Sequence, residues 1–460
     1  MSDKPYPATD CSTLSVSIQS CSPRINSEIL ESYDFDLGAA LSADPSSCLQ
    51  QGGDFRHIDD LRPVLNGHPM WTRITETLRY GTRYPLLPLE ESDRLQDLSD
   101  ALAYGNHKSA QKNSPVLMES MRNEVQRGWQ LPIQLATLPM LPHAVIGPLG
   151  CADQMKLTAD GSRKPSKRTT HDMSYKFSSQ QPVNERVLEQ ALSPCIYGFA
   201  MRRLIHMIVA LREEHGDQVS LYLSKSDLKS AYRRVQASPS LALQSITTTK
   251  GLLAEDETFA PKEDIALIAL RLTFGGAPNP AFFSEISETI TDTANMLSAC
   301  RSWNQLSLCP QHRGLLGEPM KVDDALTSKV PFARARPMCV PVATPLTGGA
   351  ECFIDDIFSV VPELPDQGIR ADRMALATFL AIEVFGRPPT DHDPMPRDDL
   401  LALSKALAEG TPTETLIVTG WLLDTRRLLI SLPDDKFQAW GGVTSTASSK
   451  NPAGGAPPKS

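Results

Sequence analysis

The sequence lacks the marks of several protein classes. None of its apolar runs approaches the roughly 18 residues that a membrane-spanning helix needs, and its first residues do not follow the basic-then-apolar order of a secretory signal. Its nine cysteines are scattered singly, without a Cys-x-x-Cys pair, so neither a disulfide framework nor a cysteine-rich zinc site is indicated. We therefore expect an intracellular protein without a membrane partner, and nothing in the sequence distinguishes the nucleus from the cytoplasm.

The chain also lacks an overall excess of positive charge. Its net charge is −9, which by itself does not point to nucleic acid. Residues 156–176 nevertheless contain six basic and two acidic residues. The six basic residues are Lys156, Arg163, Lys164, Lys167, Arg168 and Lys176. This segment is a local cationic patch, which on its own would be interpreted as a solvated loop or a nuclear-targeting sequence.

Length and local composition divide the chain into segments. A chain of 460 residues has room for two or three domains. Residues 1–69 are expected to be largely disordered, and residues 441–460 form a flexible low-complexity tail. Residues 70–215 are predicted to be mainly helical. Residues 216–410 mix strands and helices around an inserted loop region near 295–348, and residues 411–440 form a hairpin. This order predicts an α+β fold with an antiparallel sheet packed on helices.

Two adjacent carboxylates, Asp355 and Asp356, lie between two apolar runs in "ECFIDDIFSV". The flanking residues predict a β-hairpin with the pair at its turn. Another predicted strand, "QVSLYLSKSD", ends on Asp227, which precedes Asp355 by 128 residues. If these strands are neighbours in one sheet, three carboxylates meet at one edge. Such a group suits Mg²⁺, which prefers hard oxygen ligands, and a pair of these ions favours phosphoryl transfer.

Each of these carboxylates also has an ordinary interpretation. The dipeptide Asp-Asp occurs at four other places in the chain, so the pair at the hairpin could be a simple solvated turn. Asp227 could be the N-cap of the helix that follows it, which is a common role of aspartate. Only neighbouring residues can separate these interpretations from a metal site.

Together with their neighbours, these residues resemble the motifs of reverse transcriptases, the polymerases of retroelements. "KSDLKSAYRR" matches the family's block of Asp, three variable residues and Ala-aromatic. "LTFGGAPNPAFF" is similar to its Gly-to-Pro loop, and "FIDD" to its aromatic-x-Asp-Asp signature. The blocks occur in the family's order within residues 70–440. Segments such as "TLRYGTRYPL" most resemble the polymerase sequences of DIRS-like, tyrosine-recombinase retrotransposons. The resemblance implies a right-hand polymerase with fingers in 70–215, a palm in 216–410, and a primer-grip hairpin and start of the thumb in 411–440.

The resemblance also implies roles for individual residues. Asp227, Asp355 and Asp356 would be metal ligands, and Lys405 would lie near the leaving pyrophosphate. Tyr232 would be the steric gate that excludes a ribose 2′-hydroxyl. The residues implied in nucleotide binding are Arg168, Lys156, Leu228 through its carbonyl, Tyr232, Phe274 and Gly275, with Asp172 and Asn184 completing the fingers segment. The residues implied in primer or template contact are Pro280, Phe353, Gly420 and Trp421.

The implied function is RNA-directed DNA polymerisation from dNTPs on an RNA or DNA template–primer. Two Mg²⁺ ions would be the cofactors, with Mn²⁺ also compatible. No segment resembles a ribonuclease H, protease, integrase or recombinase, so the chain would be one module of a larger retroelement, with other modules as partners, or a degraded copy. Two alternatives stay open: an inactive relic or nucleic-acid-binding module, and an RNA-dependent RNA polymerase, against which Tyr232 argues.

Overall fold

The computed structural model describes residues 22–45, 47, 53–192, 195, 197–252, 264–300, 305–321, 347–388, 397–434 and 436–438. These residues form helices and small antiparallel sheets, which agrees with the predicted α+β class. None of the described helices combines the length and the apolar character that a membrane crossing requires. The tail predicted to be flexible, residues 441–460, lies outside the described residues.

The described α-helices are numbered here in chain order. They are α1 (Pro23–Ser32), α2 (Leu37–Ala43), α3 (Ile58–Leu65), α4 (Trp71–Tyr80), α5 (Glu91–Tyr104), α6 (Lys108–Lys112), α7 (Ser114–Gln126), α8 (Ala200–His215), α9 (Ala231–Arg234), α10 (Pro239–Ala242), α11 (Asn279–Ala299), α12 (Pro310–Arg313), α13 (Ala371–Phe385) and α14 (Leu403–Glu409). Short 3₁₀ helices cover Leu135–Met140, Val183–Arg186, Glu189–Ala191, Tyr197–Phe199, Gln305–Ser307 and Pro365–Gln367.

The described strands pair in small antiparallel sheets. They are β1 (Gln130–Gln134), β2 (Leu149–Leu157), β3 (Arg163–His171), β4 (Leu221–Asp227), β5 (Ile246–Thr248), β6 (Ile265–Ala269), β7 (Gly349–Phe353), β8 (Asp356–Pro362), β9 (Thr415–Val418), β10 (Trp421–Asp424) and β11 (Leu429–Ser431). The strand orders are β1-β6-β5, β2-β3, β4-β8-β7 and β11-β10-β9.

The β4-β8-β7 sheet is covered by apolar side chains on both faces. Tyr222 and Ile357 point into the larger core cluster, to which α11 and α13 contribute. Leu223, Phe358 and Val360 point into a second cluster with α8 and β9. Successive side chains of a strand alternate between faces, so this division follows from the strand geometry. The sheet therefore lies between two apolar core clusters, one on each face.

The secondary structure predicted around the carboxylates is confirmed. β4 ends on Asp227, and β7 and β8 form the predicted hairpin. The segments "AFFSEISETITDTANMLSAC" and "ADRMALATFLAIEVFG" predict helices, and α11 and α13 confirm them. The run "DIALIALRLTF", residues 264–274, predicts a strand, and the observed strand β6 is shorter, from Ile265 to Ala269. The predicted final hairpin is a meander of three strands, β9 to β11.

The N-terminal segment contains more structure than the sequence predicts. Residues 1–69 are predicted to be largely disordered, but α1, α2 and α3 lie in this segment. The side chains of Ser22 and Asp36 cap α1 and α2, and Leu30 is buried in the larger core. Asn26 donates a hydrogen bond to a carbonyl of β1 at 2.8 Å. The prediction of disorder is wrong for the described part, because short polar helices gain their stability from tertiary packing that local composition does not reveal.

The region from residue 70 to 215 is less helical than predicted. The sequence predicts helix as far as residue 135, but α7 ends at Gln126 and β1 follows. The cationic patch is part of a two-stranded ribbon, in which β2 pairs with β3 from Leu149 opposite His171 to Leu157 opposite Arg163. In the described part of residues 183–199, 3₁₀ turns at Val183–Arg186, Glu189–Ala191 and Tyr197–Phe199 stand where the sequence predicts helix. The ribbon escapes prediction because most of its side chains are exposed on both faces, which removes the alternation that marks a strand.

The region predicted to be an inserted loop, residues 295–348, is partly helical and packed where the structure describes it. α11 continues to Ala299, and residues 305–315 pack against the larger core through Leu308 and Leu315. Residues 322–346 lie outside the described residues. Isolated apolar side chains among prolines show no periodicity, so their burial was not predictable from the pattern.

Candidate active site

Asp227 and Asp356 face each other across two neighbouring strands. β4 pairs with β8 in an antiparallel register that places Asp227 directly opposite Asp356. Such partners have their Cβ atoms roughly 5 Å apart on one face of the sheet. Asp355 belongs to the two-residue turn between β7 and β8. The structure therefore brings the three predicted carboxylates to one edge, while their role in binding metal stays a prediction.

The turn that carries Asp355 has an unusual backbone. Ile354 has φ +58°, in the left-handed region that β-branched residues rarely adopt. A residue held there costs about 1–3 kcal/mol and persists only where its surroundings enforce it. The pairing of β7 with β8 provides part of that support, and the carbonyl of Asp355 accepts a hydrogen bond from the amide of Leu228 at 3.2 Å.

The carboxyl groups of Asp227 and Asp355 lie in a partly dry environment that disfavours their ionisation. Asp227 is only 4% exposed. Burial and then the charge of Asp355 raise the pKa of Asp227 to about 8, although Lys405 opposes this effect. Burial and then the charge of Asp356 raise the pKa of Asp355. The charge of Asp355 disfavours ionisation of Asp227, and the charge of Asp356 disfavours ionisation of Asp355. The positive charge at this edge is therefore too small to balance three ionised carboxylates.

Two lysines contact the carboxylates. Lys405 Nζ lies 2.7 Å from Asp227 Oδ1, which places the predicted pyrophosphate lysine beside the predicted metal ligand. Lys225 Nζ lies 3.3 Å from Asp356 Oδ1 and 3.4 Å from Glu409 Oε2. Burial lowers the pKa of Lys225, but Asp356 and Glu409 outweigh it, and the net pKa is raised.

Sequence reasoning missed Lys225 and Glu409, although a signal for each is present. Lys225 precedes Asp227 by two residues in a strand, so the two side chains share a face. Glu409 follows Lys405 by four residues, which places them on one side of α14. Within the described part of the chain, the carboxylate oxygens of the three aspartates do not all lie within 4.8 Å of one another.

Residues 400–402 hold the end of β4 in place. Leu228 pairs with Leu401 in an antiparallel bridge, and the amide of Ala402 donates to the carbonyl of Asp227 at 2.9 Å. The amide of Lys229 donates to the carbonyl of residue 400 at 2.9 Å. Since α14 begins directly after Ala402, the same segment positions both Asp227 and the helix that carries Lys405.

Tyr232 lies next to the carboxylates on α9. Its ring centroid is 5.3 Å from that of Phe274 and 5.7 Å from that of Phe283. Burial and then the charge of Asp355 raise the pKa of Tyr232. The exposed Arg168 has its guanidinium carbon 4.7 Å from the Phe274 ring centroid, in a cation–π contact. Phe274 therefore lies in contact with both Arg168 and Tyr232.

The loop after Phe274 is fixed by close backbone contacts. Gly275 has φ +137°, and a Cβ added there would lie 1.7 Å from the carbonyl oxygen of His171. Asn184 Nδ2 donates a hydrogen bond to the carbonyl of Gly275 at 2.8 Å, and Asn184 Oδ1 accepts one from the amide of Ala277 at 2.8 Å. Pro280 is the second residue of α11, where its missing N–H costs little. Two residues implied by the resemblance, Asn184 and Gly275, are thus in direct contact.

Other predicted residues lie in separate elements. Lys156 pairs with Lys164 in the ribbon, four residues along β3 from Arg168, which corresponds to about 13 Å. The structure therefore does not bring Lys156 next to Arg168. Phe353 ends β7, and its ring meets that of Tyr197 edge-to-face at 5.3 Å.

Gly420 and Trp421 form the turn and the first residue of the β9–β10 hairpin. Thr419 and Gly420 have φ +46° and +90°, the two positive values typical of a tight hairpin turn. Lys436 Nζ donates to the carbonyl of Gly420 at 3.3 Å, and Trp421 is 45% exposed. The primer contact implied for both residues stays a prediction.

Comparison with known proteins gives little further information. No protein-family model and no curated protein matches this chain. Among solved structures, the chain is similar to a foamy viral protease–reverse transcriptase in complex with double-stranded DNA, with a TM-score of 0.40, 10% sequence identity, and coverage of 84% of this chain and 49% of that one. The chain thus spans about half the length of the viral protein. A likeness at this level assigns neither a fold nor an activity.

Proposed function

We propose that this chain is a reverse transcriptase that extends a primer by nucleotidyl transfer, with the β4-β8-β7 sheet as its palm. The observation that carries the proposal is the register that sets Asp227 opposite Asp356, with Asp355 in the adjoining turn. A solvated hairpin tip would leave these carboxylates in water, whereas Asp227 is buried and its pKa is raised. A buried carboxylate group beside an exposed arginine suits a triphosphate with its cations better than a simple chain reversal.

The cations would be two Mg²⁺ ions, or Mn²⁺, held by Asp227, Asp355 and Asp356. Carboxylate oxygens are the ligands that Mg²⁺ prefers. Apart from its ion pair with Lys405, Asp227 Oδ1 is buried and accepts no hydrogen bond from the described residues. When bound, such ions stabilise the attacking and leaving oxygens of an in-line phosphoryl transfer. To share them, Asp227 and Asp356 would turn from their lysines towards each other.

The protein's own side chains would bind and orient the nucleotide. Arg168 offers a planar fork to phosphate oxygens, and its contact with Phe274 directs that fork. Tyr232 would fill the space that a 2′-hydroxyl needs, which favours dNTPs. Lys405 would leave its ion pair with Asp227 and pair instead with the negative charge of the departing pyrophosphate. Rate enhancement would then come mainly from positioning and electrostatics.

The template–primer would be held through its phosphates and its helical shape, so that binding is salt-dependent and largely independent of sequence. The exposed basic residues of the β2–β3 ribbon, including Lys156, would contribute on the fingers side. Gly420 and Trp421 would contribute on the primer side. The wider identity, a module of a DIRS-like retrotransposon, is supported by the sequence resemblance alone.

Primer extension on poly(rA)–oligo(dT) with dTTP and Mg²⁺ tests the proposal. Asp355→Asn/Asp356→Asn removes two charges with little change in size, and we expect incorporation to fall by more than about 100-fold. The matched control is Asp59→Asn/Asp60→Asn, an adjacent pair at the exposed start of α3, which should extend as well as wild type.

Two results would contradict the proposal. The first is a wild-type chain that extends no primer, and the second is equal extension by wild type and the Asp355→Asn/Asp356→Asn variant. Fluorescence anisotropy with the same template–primer separates the alternatives, because tight binding without extension would favour the inactive nucleic-acid-binding module.

A further inference from the structure

Three potential metal ligands lie together outside the carboxylate site. Cys309 occupies the N-cap position of α12, and His312 follows three residues later. One helical turn therefore places both side chains on the same side. Glu383 comes from α13, and one ligand atom from each of the three residues lies within 4.8 Å of the other two. Sulfur, imidazole nitrogen and carboxylate oxygen are the atoms through which proteins bind Zn²⁺.

The contacts of His312 require a positive charge between its ring and Glu383. The side chain is 3% exposed, and Nε2 lies 2.7 Å from Asp399 Oδ2 while Nδ1 lies 2.5 Å from Glu383 Oε1. Ionised carboxylates only accept hydrogen bonds, so Nε2 carries a proton for Asp399. At 2.5 Å only a second proton fits between Nδ1 and Glu383 Oε1, and a metal ion can take its place once the two atoms move apart.

The thiol of Cys309 favours the metal ion. A thiol adds little to a pair formed by an imidazolium and a carboxylate, but it completes a set of nitrogen, oxygen and sulfur donors. Asp399 supports the same conclusion, because metal-bound histidines usually donate their other ring N–H to a carboxylate. The amide of Cys309 also donates to both oxygens of Glu383 at 3.1 Å, which fixes the carboxylate beside the thiol.

We propose that Cys309, His312 through Nδ1, and Glu383 bind a Zn²⁺ ion, with a water molecule in the fourth position and Asp399 orienting the histidine. Bonds of about 2.0–2.3 Å place tetrahedral ligand atoms about 3.3–3.8 Å apart. His312 Nδ1 and Glu383 Oε1, which lie 2.5 Å apart, would therefore separate by about 1 Å on binding. The thiol loses its proton to become a ligand. A thiolate favours Zn²⁺ over Mg²⁺, so this site and the aspartates of β4 and β8 select different ions.

The ion would tie three segments of the chain together. Cys309 and His312 belong to the predicted insertion, Glu383 to α13, and Asp399 to the segment that supports β4. Asp399 Oδ1 accepts a hydrogen bond from the amide of Leu401 at 2.9 Å. The neighbouring amide of Ala402 donates to the carbonyl of Asp227. The ion would therefore link these segments, and the inference does not depend on the proposed polymerase activity.

Cobalt substitution of the full chain tests the site. Protein stripped with EDTA and dialysed into excess Mg²⁺ should bind Co²⁺ with the visible bands of four-coordinate cobalt and a near-ultraviolet sulfur-to-cobalt band, and Zn²⁺ should abolish both. Cys309→Ser should remove the sulfur band, whereas Cys151→Ser, which alters another half-buried thiol on β2, should retain it. Asp399→Asn should weaken Zn²⁺ binding by about 10–100-fold. Absence of the sulfur band, or its persistence in Cys309→Ser, overturns the proposal.

A measurement on the wild-type chain keeps the test independent of how the variants fold. Zn²⁺ should slow the alkylation of Cys309 by iodoacetamide by more than about tenfold, because the metal-bound thiolate is no longer free to react. Peptide mass spectrometry gives the rate for each thiol, and Cys151 serves as the internal control. Equal labelling of Cys309 in Zn²⁺ and in EDTA overturns the proposal and leaves a proton between His312 and Glu383.

Discussion

Replacing Asp227 by asparagine is expected to stabilise the metal-free protein near neutral pH. Burial and then the charge of Asp355 raise the pKa of Asp227 from 3.8 to about 8. The folded state therefore binds this proton more tightly than the unfolded chain does. The stability that the protonated carboxyl of Asp227 confers is fully present below about pH 4 and is lost as the pH rises towards 8. Asparagine has nearly the same shape and never ionises, so it avoids the loss.

The raised pKa sets the size of the effect. One pKa unit corresponds to about 1.36 kcal/mol, and pH 7 lies 3.2 units above the ordinary value of 3.8. The upper limit at pH 7 is therefore about 4 kcal/mol. Part of this cost also belongs to the charge of Asp355, and the variant loses the ion pair with Lys405. We expect a gain of about 1–3 kcal/mol in the free energy of unfolding for Asp227→Asn.

Urea unfolding in EDTA at pH 4, 6 and 8 measures the gain, which should grow with pH and vanish at pH 4. Mg²⁺ should stabilise wild type more than the variant, because an ion that binds only the folded state adds to its stability. Asp59→Asn is the control, since the pKa of this exposed carboxyl is lowered by its hydrogen bond with Arg62. An Asp227→Asn variant less stable than wild type at pH 8 in EDTA would refute the reasoning.

Three further changes have defined outcomes. Gly275→Ala should lower the free energy of unfolding by about 2 kcal/mol or more, because the added Cβ meets a backbone oxygen of β3 at 1.7 Å. Thermal unfolding beside Gly198→Ala, whose Cβ would meet no atom within 4 Å, measures this, and equal melting temperatures would contradict it. Tyr232→Ala should raise ribonucleotide over deoxynucleotide incorporation at least about tenfold in primer extension, and an unchanged ratio rules out the gate. Arg168→Met should raise the KM for dNTPs about 10–100-fold, as loss of a charged hydrogen bond implies, while Lys164→Met on the same strand leaves it within about twofold. Equal effects of these two variants would indicate only a loss of general positive charge.

The elements that carry the carboxylates were predictable because their sequence patterns are local. Apolar residues on both sides of Asp355 and Asp356 give a hairpin, and alternation before Asp227 gives a strand. The register that pairs Asp227 with Asp356 was not predictable from these patterns. It depends on the packing of β4 and β8 against α8 and α13 and of β7 against α11. A shift by one residue would turn every side chain of a strand to the other face.

The partners of the site residues were harder to predict than the residues themselves. Lys225 shares a face with Asp227, but its second partner, Glu409, is distant in sequence, and no local pattern joins them. The contact between Arg168 and Phe274 likewise depends on how the β2–β3 ribbon meets the loop at Gly275. Sequence patterns establish which side chains share an element, whereas contacts between elements follow from tertiary packing.

The hairpin at Asp355 is costly for a simple chain reversal, and this favours a function at its tip. A stable two-residue turn would have glycine or asparagine where the backbone is left-handed, but this chain has Ile354 with φ +58°. It also buries Asp227 against the pair instead of leaving all three carboxylates in water. Local preference and structure disagree at both points, and such disagreements are expected where a site serves binding rather than stability. Cations and a triphosphate would remove the electrostatic part of this cost, which is why stabilisation by Mg²⁺ and by Asp227→Asn should be alternatives rather than additive effects.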